Sequence, residues 1–216
     1  MRPIDKGLFQ GNQDSYHPYG AAKNDLISAL GGFCSYCERQ GFHAAHAVEH
    51  IQDKNTYPEL KFSWDNFLLS CTNCNSIKST KDIEGVLLPD RNNTYEVFIY
   101  LESGFIQVKP DLNNAKKVKA IALINLVGLD RIPGRNGYSG RDTLWLNRKK
   151  SWELAQRYLE KYQQHICDVE TIKDLALAQG CWSIWMQVFE SHSEIQKELI
   201  NAFSGTQKVF FQNILS

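Results

Sequence analysis

The sequence has no run approaching the roughly 18 apolar residues that a bilayer-crossing helix needs, which excludes a helical membrane span. Its first twenty residues, MRPIDKGLFQGNQDSYHPYG, lack the apolar centre of a secretory signal, so a soluble chain in the cytoplasm is expected. Low-complexity tracts and internal repeats are also missing, and with 43% hydrophobic and 22% charged residues the composition is that of a folded globular chain. Without a secretory signal, the glycosylation-like Asn92-Asn93-Thr94 reads as a polar turn.

Net charge is absent too, yet the zero conceals an uneven distribution. Residues 116–150 hold nine Lys or Arg against Asp130 and Asp142, a local charge of +7, whereas the first 115 residues carry −4 and the last 66 carry −3. That asymmetry makes a polyanionic partner plausible, with a solvated helix and loop as the plainer explanation. Lys81, Arg131, Arg135 and Arg141 are the candidate nucleic-acid contacts.

Four of the six cysteines fall into two CxxC pairs, Cys34/Cys37 and Cys71/Cys74, with 33 residues between them. In a reducing compartment this spacing points to metal rather than disulfides: each turn offers two thiolates, and four sulfurs complete a tetrahedron around structural zinc. A thioredoxin-like dithiol would come singly. Cys167 and Cys181 sit among apolar residues and read as core.

Periodicity gives a coarse layout. A short amphipathic helix over residues 20–31 closes at Gly31-Gly32; VEHI and FLLSC are strand-like; NCNSIKST begins a helix with Asn73 as a reasonable N-cap. Residues 95–109 form a hairpin around Glu102-Ser103-Gly104. Apolar residues at 115, 118, 121, 122 and 126 mark a helix over 113–127, followed by a basic loop at 131–140, a long charged helix over 143–166, and helical sequence from 169 to about 201. Trp182, Trp185, Met186 and Phe189 form a buried stripe.

Between and just after the knuckles stand Glu49-His50, Asn66, and Cys71-x-x-Cys74-Asn75-x-x-Lys78. These residues resemble the HNH, or ββα-metal, nuclease family, over about residues 31–81. Relatives with CxxC knuckles mostly carry His directly after the second knuckle, where this chain has Asn75, so the motif reads H-N-N. The resemblance implies an α+β protein: a zinc-stapled ββα-metal core with an N-terminal helix, a β-hairpin and a C-terminal helical region, divided as an HNH domain over 1–111 and a helical region over 112–216.

Phosphodiester hydrolysis needs a deprotonated water, a cation beside the scissile phosphate, and help for the leaving oxygen. A neutral imidazole near pH 7 suits the first duty, which makes His50 the general base. By resemblance, Glu49 and Asn75 would hold a second cation, magnesium or manganese, and Asn66 would orient His50. Lys78, on the same helical face as Asn75, could pair with the phosphate or be merely solvated. His43 and His46, three residues apart, could instead contribute to a metal site; His17, His165 and His192 have no cluster around them.

GFCSYCE, VEHIQDK, SWDNFLLSCTNCNSIKSTK and the GRDTLWLNR segment look like the HNH proteins associated with Septu and retron antiphage systems. That finer resemblance implies a PtuA-type ATPase partner and, in retron systems, a reverse transcriptase with its RNA-DNA product. The alternative is a zinc-stabilised binding or adaptor module whose HNH residues are inactive.

Overall fold

The computed structural model describes residues 1–9, 15–135 and 137–216; residues 10–14 and Asn136 of the basic loop lie outside the described residues. Helix α1 (Ala22–Leu30) buries Ala22, Leu26 and Leu30 and stops at Gly31, whose left-handed φ of 76° lets its N–H return to the Ile27 carbonyl. The chain then enters the first knuckle. Strand β1 (His46–His50) pairs antiparallel with β2 (Phe67–Cys71), His46 opposite Cys71 and His50 opposite Phe67.

All five residues of β2 are buried, because α1 packs on the ribbon and α2 (Thr72–Lys78) folds back against both strands. A strand enclosed in this way reads as a continuous apolar run, as FLLSC does. The cap of α2 is Cys71, whose sulfur accepts the Cys74 N–H at 3.5 Å, and not Asn73 as expected. The second knuckle is therefore also the strand-to-helix corner.

The hairpin pairs β3 (Phe98–Tyr100) with β4 (Ile106–Val108). Its turn requires Gly104, since a Cβ there would lie 2.0 Å from the Trp145 carbonyl oxygen. Helix α3 (Asn114–Val127) forms where its periodicity predicts, but buries Ala120, Leu123, Ile124, Leu126 and Val127 while Val118 and Ile121 stay exposed. Its sequence is apolar on almost every side, so periodicity marks a helix without choosing its inward face.

Helices α4 (Leu144–Gln163), α5 (Val169–Gln179), α6 (Trp182–Val188) and α7 (Ser193–Ala202) follow, then the short α8 (Gln212–Leu215). The segment read as one helical stretch from residue 169 is broken at Gly180 and Cys181, both with positive φ. Trp182, Trp185, Met186 and Phe189 are fully buried as expected, each aromatic contributing about 1.5–3 kcal/mol of apolar burial. Among the described residues no helix is long and apolar enough to cross a membrane.

One continuous core joins residues on both sides of position 112, so the two regions read from the sequence share an interior. Glu38 of the first knuckle makes the link most directly. Its buried carboxylate accepts from the Ser183 N–H at 2.9 Å, the Ser183 hydroxyl at 2.5 Å and the Arg2 N–H, capping α6. Arg2 in turn donates to the carbonyls of Leu30, Phe203 and Ser204.

Candidate active site and metal cluster

Four buried sulfurs, from Cys34, Cys37, Cys71 and Cys74, have all their ligand atoms within 4.8 Å of one another. Cys37 and Cys71 are 3.7 Å apart, too far for a disulfide and close to the ~3.8 Å edge of a tetrahedron built on ~2.3 Å zinc–sulfur bonds. The protons tell the same story. Contacts with Cys34, Cys37 and Cys74 hold the Cys71 thiol far below the ordinary range, while contacts with Cys34 and Cys71, and burial, drive the Cys37 and Cys74 thiols well above it. Four crowded thiols cannot all ionise without a cation among them, so the donor set fits zinc. His43 is elsewhere, bonded to Asn24 at 2.8 Å, and His46 is outside the sulfur group, its Nδ1 3.3 Å from the Phe42 carbonyl.

The cluster sits where β2 becomes α2, so it sets how α2 lies against β1. On that ribbon Glu49 and His50 are neighbours at the strand's end. The Glu49 carboxylate is 2.7 Å from the Lys78 ammonium, which also donates to the His50 carbonyl at 2.8 Å. Burial pushes the Glu49 carboxyl up to about 6, and Lys78 opposes that rise.

The His50 imidazole lies edge-on to Tyr19 and Phe67, with centroids 4.7 and 5.2 Å away, and is 8% exposed. Its Nε2 is 2.9 Å from the Lys61 carbonyl oxygen. A carbonyl only accepts, so Nε2 carries the proton and Nδ1 keeps its lone pair in the neutral ring. Burial lowers the ring's affinity for a second proton, the Lys61 contact acting the other way.

Asn66 closes the loop that supplies this carbonyl. Its amide oxygen accepts the Gln52 N–H at 2.8 Å, and its amide nitrogen donates to the carbonyls of Gln52 and Leu60 at 2.9 and 3.3 Å. The side chain thus fixes both ends of residues 52–60, immediately beside Lys61. Asn75 is half-buried on α2, one turn before Lys78 and on the same face.

Residues 34–81, which hold both cysteine pairs, the two antiparallel strands and α2, match the family model for HNH endonuclease. This segment is an HNH domain. Over 77 residues, 35% of this chain, the sequence is 39% identical to the Septu protein PtuB of Bacillus thuringiensis. The match spans 29% of that protein's own length.

The basic side chains read as possible phosphate contacts, and those of residues 116–150, are less free than the charge count suggests. Lys78, read as meeting a phosphate or solvent, does neither: it is 0% exposed and occupied by Glu49. Lys81 donates at 3.1 Å to the Asn125 and Leu126 carbonyls, capping α3. Arg131 is 3.8 Å from Asp142 and Arg135 is 3.2 Å from Asp130, while Arg141 is exposed. Arg148 is interior, donating at 2.7 Å to Gly104 and Leu129 carbonyls. Sequence reasoning missed the Lys61 carbonyl, since backbone leaves no side-chain signature, and Glu38, which reads as an ordinary exposed acid beside the knuckle.

Proposed function

We propose that the chain is a metal-dependent HNH nuclease that hydrolyses phosphodiester bonds, with His50 as general base. The observation that carries this reading is the Nε2 contact to the Lys61 carbonyl, which commits that nitrogen to donating and reserves Nδ1 for a water proton. A ring held by burial in its neutral form near pH 7 has the protonation state that the duty needs. Asn66 is a positioning residue, acting on His50 through the loop that ends at Lys61.

By the family resemblance Glu49 and Asn75 would hold the catalytic cation, with one carboxylate oxygen of Glu49 already engaged by Lys78. Oxygen donors of this kind suit magnesium or manganese. When bound, that ion supplies positive charge for the developing phosphorane and leaving oxygen. Lys78 holds Glu49 in place and carries no substrate. The four cysteines hold structural zinc, which fixes α2 against β1.

The likeness to PtuB supports a role as an antiphage effector of Septu or retron type working with a PtuA-type ATPase. In a retron setting a reverse transcriptase and its RNA-DNA product join the complex, and the exposed Arg141 contacts nucleic acid.

The test is a His50→Ala protein assayed with magnesium or manganese on single-stranded DNA, duplex DNA and total RNA, alone and with the partner ATPase. Cleavage by the parent and loss in the variant, with zinc content and thermal melt retained, is expected. Cleavage surviving in His50→Ala sinks the mechanism, and a parent inert under every condition favours the adaptor reading.

A further inference from the structure

A cleft of about 440 Å³ opens on the other end of β1, lined by Arg39, Gln40, Gly41, Phe42, Ala45 and His46 together with Cys71. Three features make it more than a surface dent. The Phe42 ring is 91% exposed, on a backbone that is held on both sides: Gly41 N–H bonds Gly32, Ala45 N–H bonds the Phe42 carbonyl, and His43 bonds Asn24. His46 is only 3% exposed and lends its Nδ1–H to the Phe42 carbonyl, leaving Nε2 buried with no partner among the described residues. Gly41 makes room for that ring, since a Cβ there would come within 2.8 Å of His46 Cε1.

An exposed aromatic face and an arginine beside one recess match the chemistry of a nucleotide. The π-face of a base stacks on aromatic side chains whatever its identity, and Arg39 adds the positive charge that a phosphate backbone seeks. A recess of this size admits a single planar base and not a stacked pair of strands. His46 and His50 lie four residues apart on β1, so the cleft and the candidate base are about 13 Å apart on the same strand face.

We infer that this cleft is a nucleotide subsite, which takes one unpaired base of a nucleic-acid strand against Phe42, with Arg39 toward the phosphate. The inference rests on the nuclease reading and narrows it, because it makes single-stranded or locally opened nucleic acid the preferred substrate.

The test measures binding separately from cleavage. Fluorescein-labelled adenylate and thymidylate oligomers of about a dozen nucleotides, an RNA adenylate oligomer and a DNA duplex are titrated against the full-length His50→Ala protein by polarisation. Adding Phe42→Ala is expected to weaken single-strand binding by about tenfold, Phe42→Trp to restore it, and duplex binding to change far less. The DNA and RNA arms separate the two sources. Phe42→Ala binding every oligomer as tightly as the parent, or losing duplex and single strand equally, overturns the subsite. If no condition yields cleavage while Phe42→Ala still loses single-strand binding, the nuclease reading fails and the subsite stands.

Discussion

Glu49 and Lys78 form a 2.7 Å ion pair from which solvent is almost wholly excluded, and it ties the end of β1 to the end of α2. A buried pair gains little over a matched apolar pair, but breaking one side leaves an uncompensated charge. Lys78→Met is therefore expected to destabilise the protein by about 3–5 kcal/mol in chemical denaturation. Glu49→Gln added to it is expected to return much of that loss, because the stranded carboxylate disappears. Two strictly additive losses would mean that the pair is not coupled as its geometry says.

The sulfur cluster invites the opposite treatment, removal of the zinc it is proposed to hold. Cys71 caps α2, closes β2 and offers one of the four sulfurs, and Cys71→Ser keeps a capping oxygen while removing that sulfur. Structural zinc in small modules contributes roughly 10 kcal/mol or more of binding free energy. The expected result is a protein without zinc that is insoluble or melts far below the parent, and chelator is expected to reproduce the defect in the parent. A folded, zinc-free Cys71→Ser protein with parental melting would remove the cluster from the framework.

The ββα order and both knuckles are legible in the sequence because apolar runs, turn signals and CxxC spacing are local. His50, Glu49 and Asn66 stand out through the resemblance to the HNH family and not through any local pattern. The partner of Lys78 is not legible, since a lysine at a helix end has the same local pattern whether it meets water or a carboxylate across the ribbon. Nor is the inward face of α3, which depends on what packs there. Glu38 illustrates the limit best: nothing near it in sequence announces Ser183, 145 positions away.

Burial of His50 disfavours its charged form and holds the imidazole below its ordinary value of 6.5. Its neutral form is the proposed base, so cleavage is expected to persist through mildly acidic pH and to fall as the pH drops through a value below 6.5. Stability has the same sign. A group whose folded value is depressed binds fewer protons folded than unfolded, so its contribution is present above 6.5 and is lost as the pH falls through the folded value. Rates measured from pH 5 to 9 check this, and an acidic limb centred above 6.5 contradicts it.

Asn66 touches no reacting atom in the proposed mechanism, yet three hydrogen bonds from its amide brace the loop before Lys61. Asn66→Ala is expected to lower kcat by roughly 10–100-fold, the usual scale for a supporting residue, with KM changed much less. The His50 ring signal in NMR is expected to broaden as Lys61 loses its fixed place. A variant with parental kcat and an unaltered ring signal would show that the loop holds itself.

Glu38 offers a test of how the HNH domain is joined to the helices beyond it. Its carboxylate takes two hydrogen bonds from Ser183 at the start of α6 and another from the Arg2 backbone, and Cys181 N–H bonds its carbonyl at 3.0 Å. Glu38→Ala strands those buried donors at about 1–3 kcal/mol each, less whatever water recovers. Glu38→Gln keeps the shape but turns an amide NH₂ toward groups that also donate, so it is expected to rescue only part of the loss. Because Glu38 lies between Cys37 and Arg39, the damage should appear on both sides: faster hydrogen exchange in α6 together with weaker zinc retention. Exchange rising in α6 alone, with zinc held as tightly as before, would mean that the knuckle stands independently of the helices it touches.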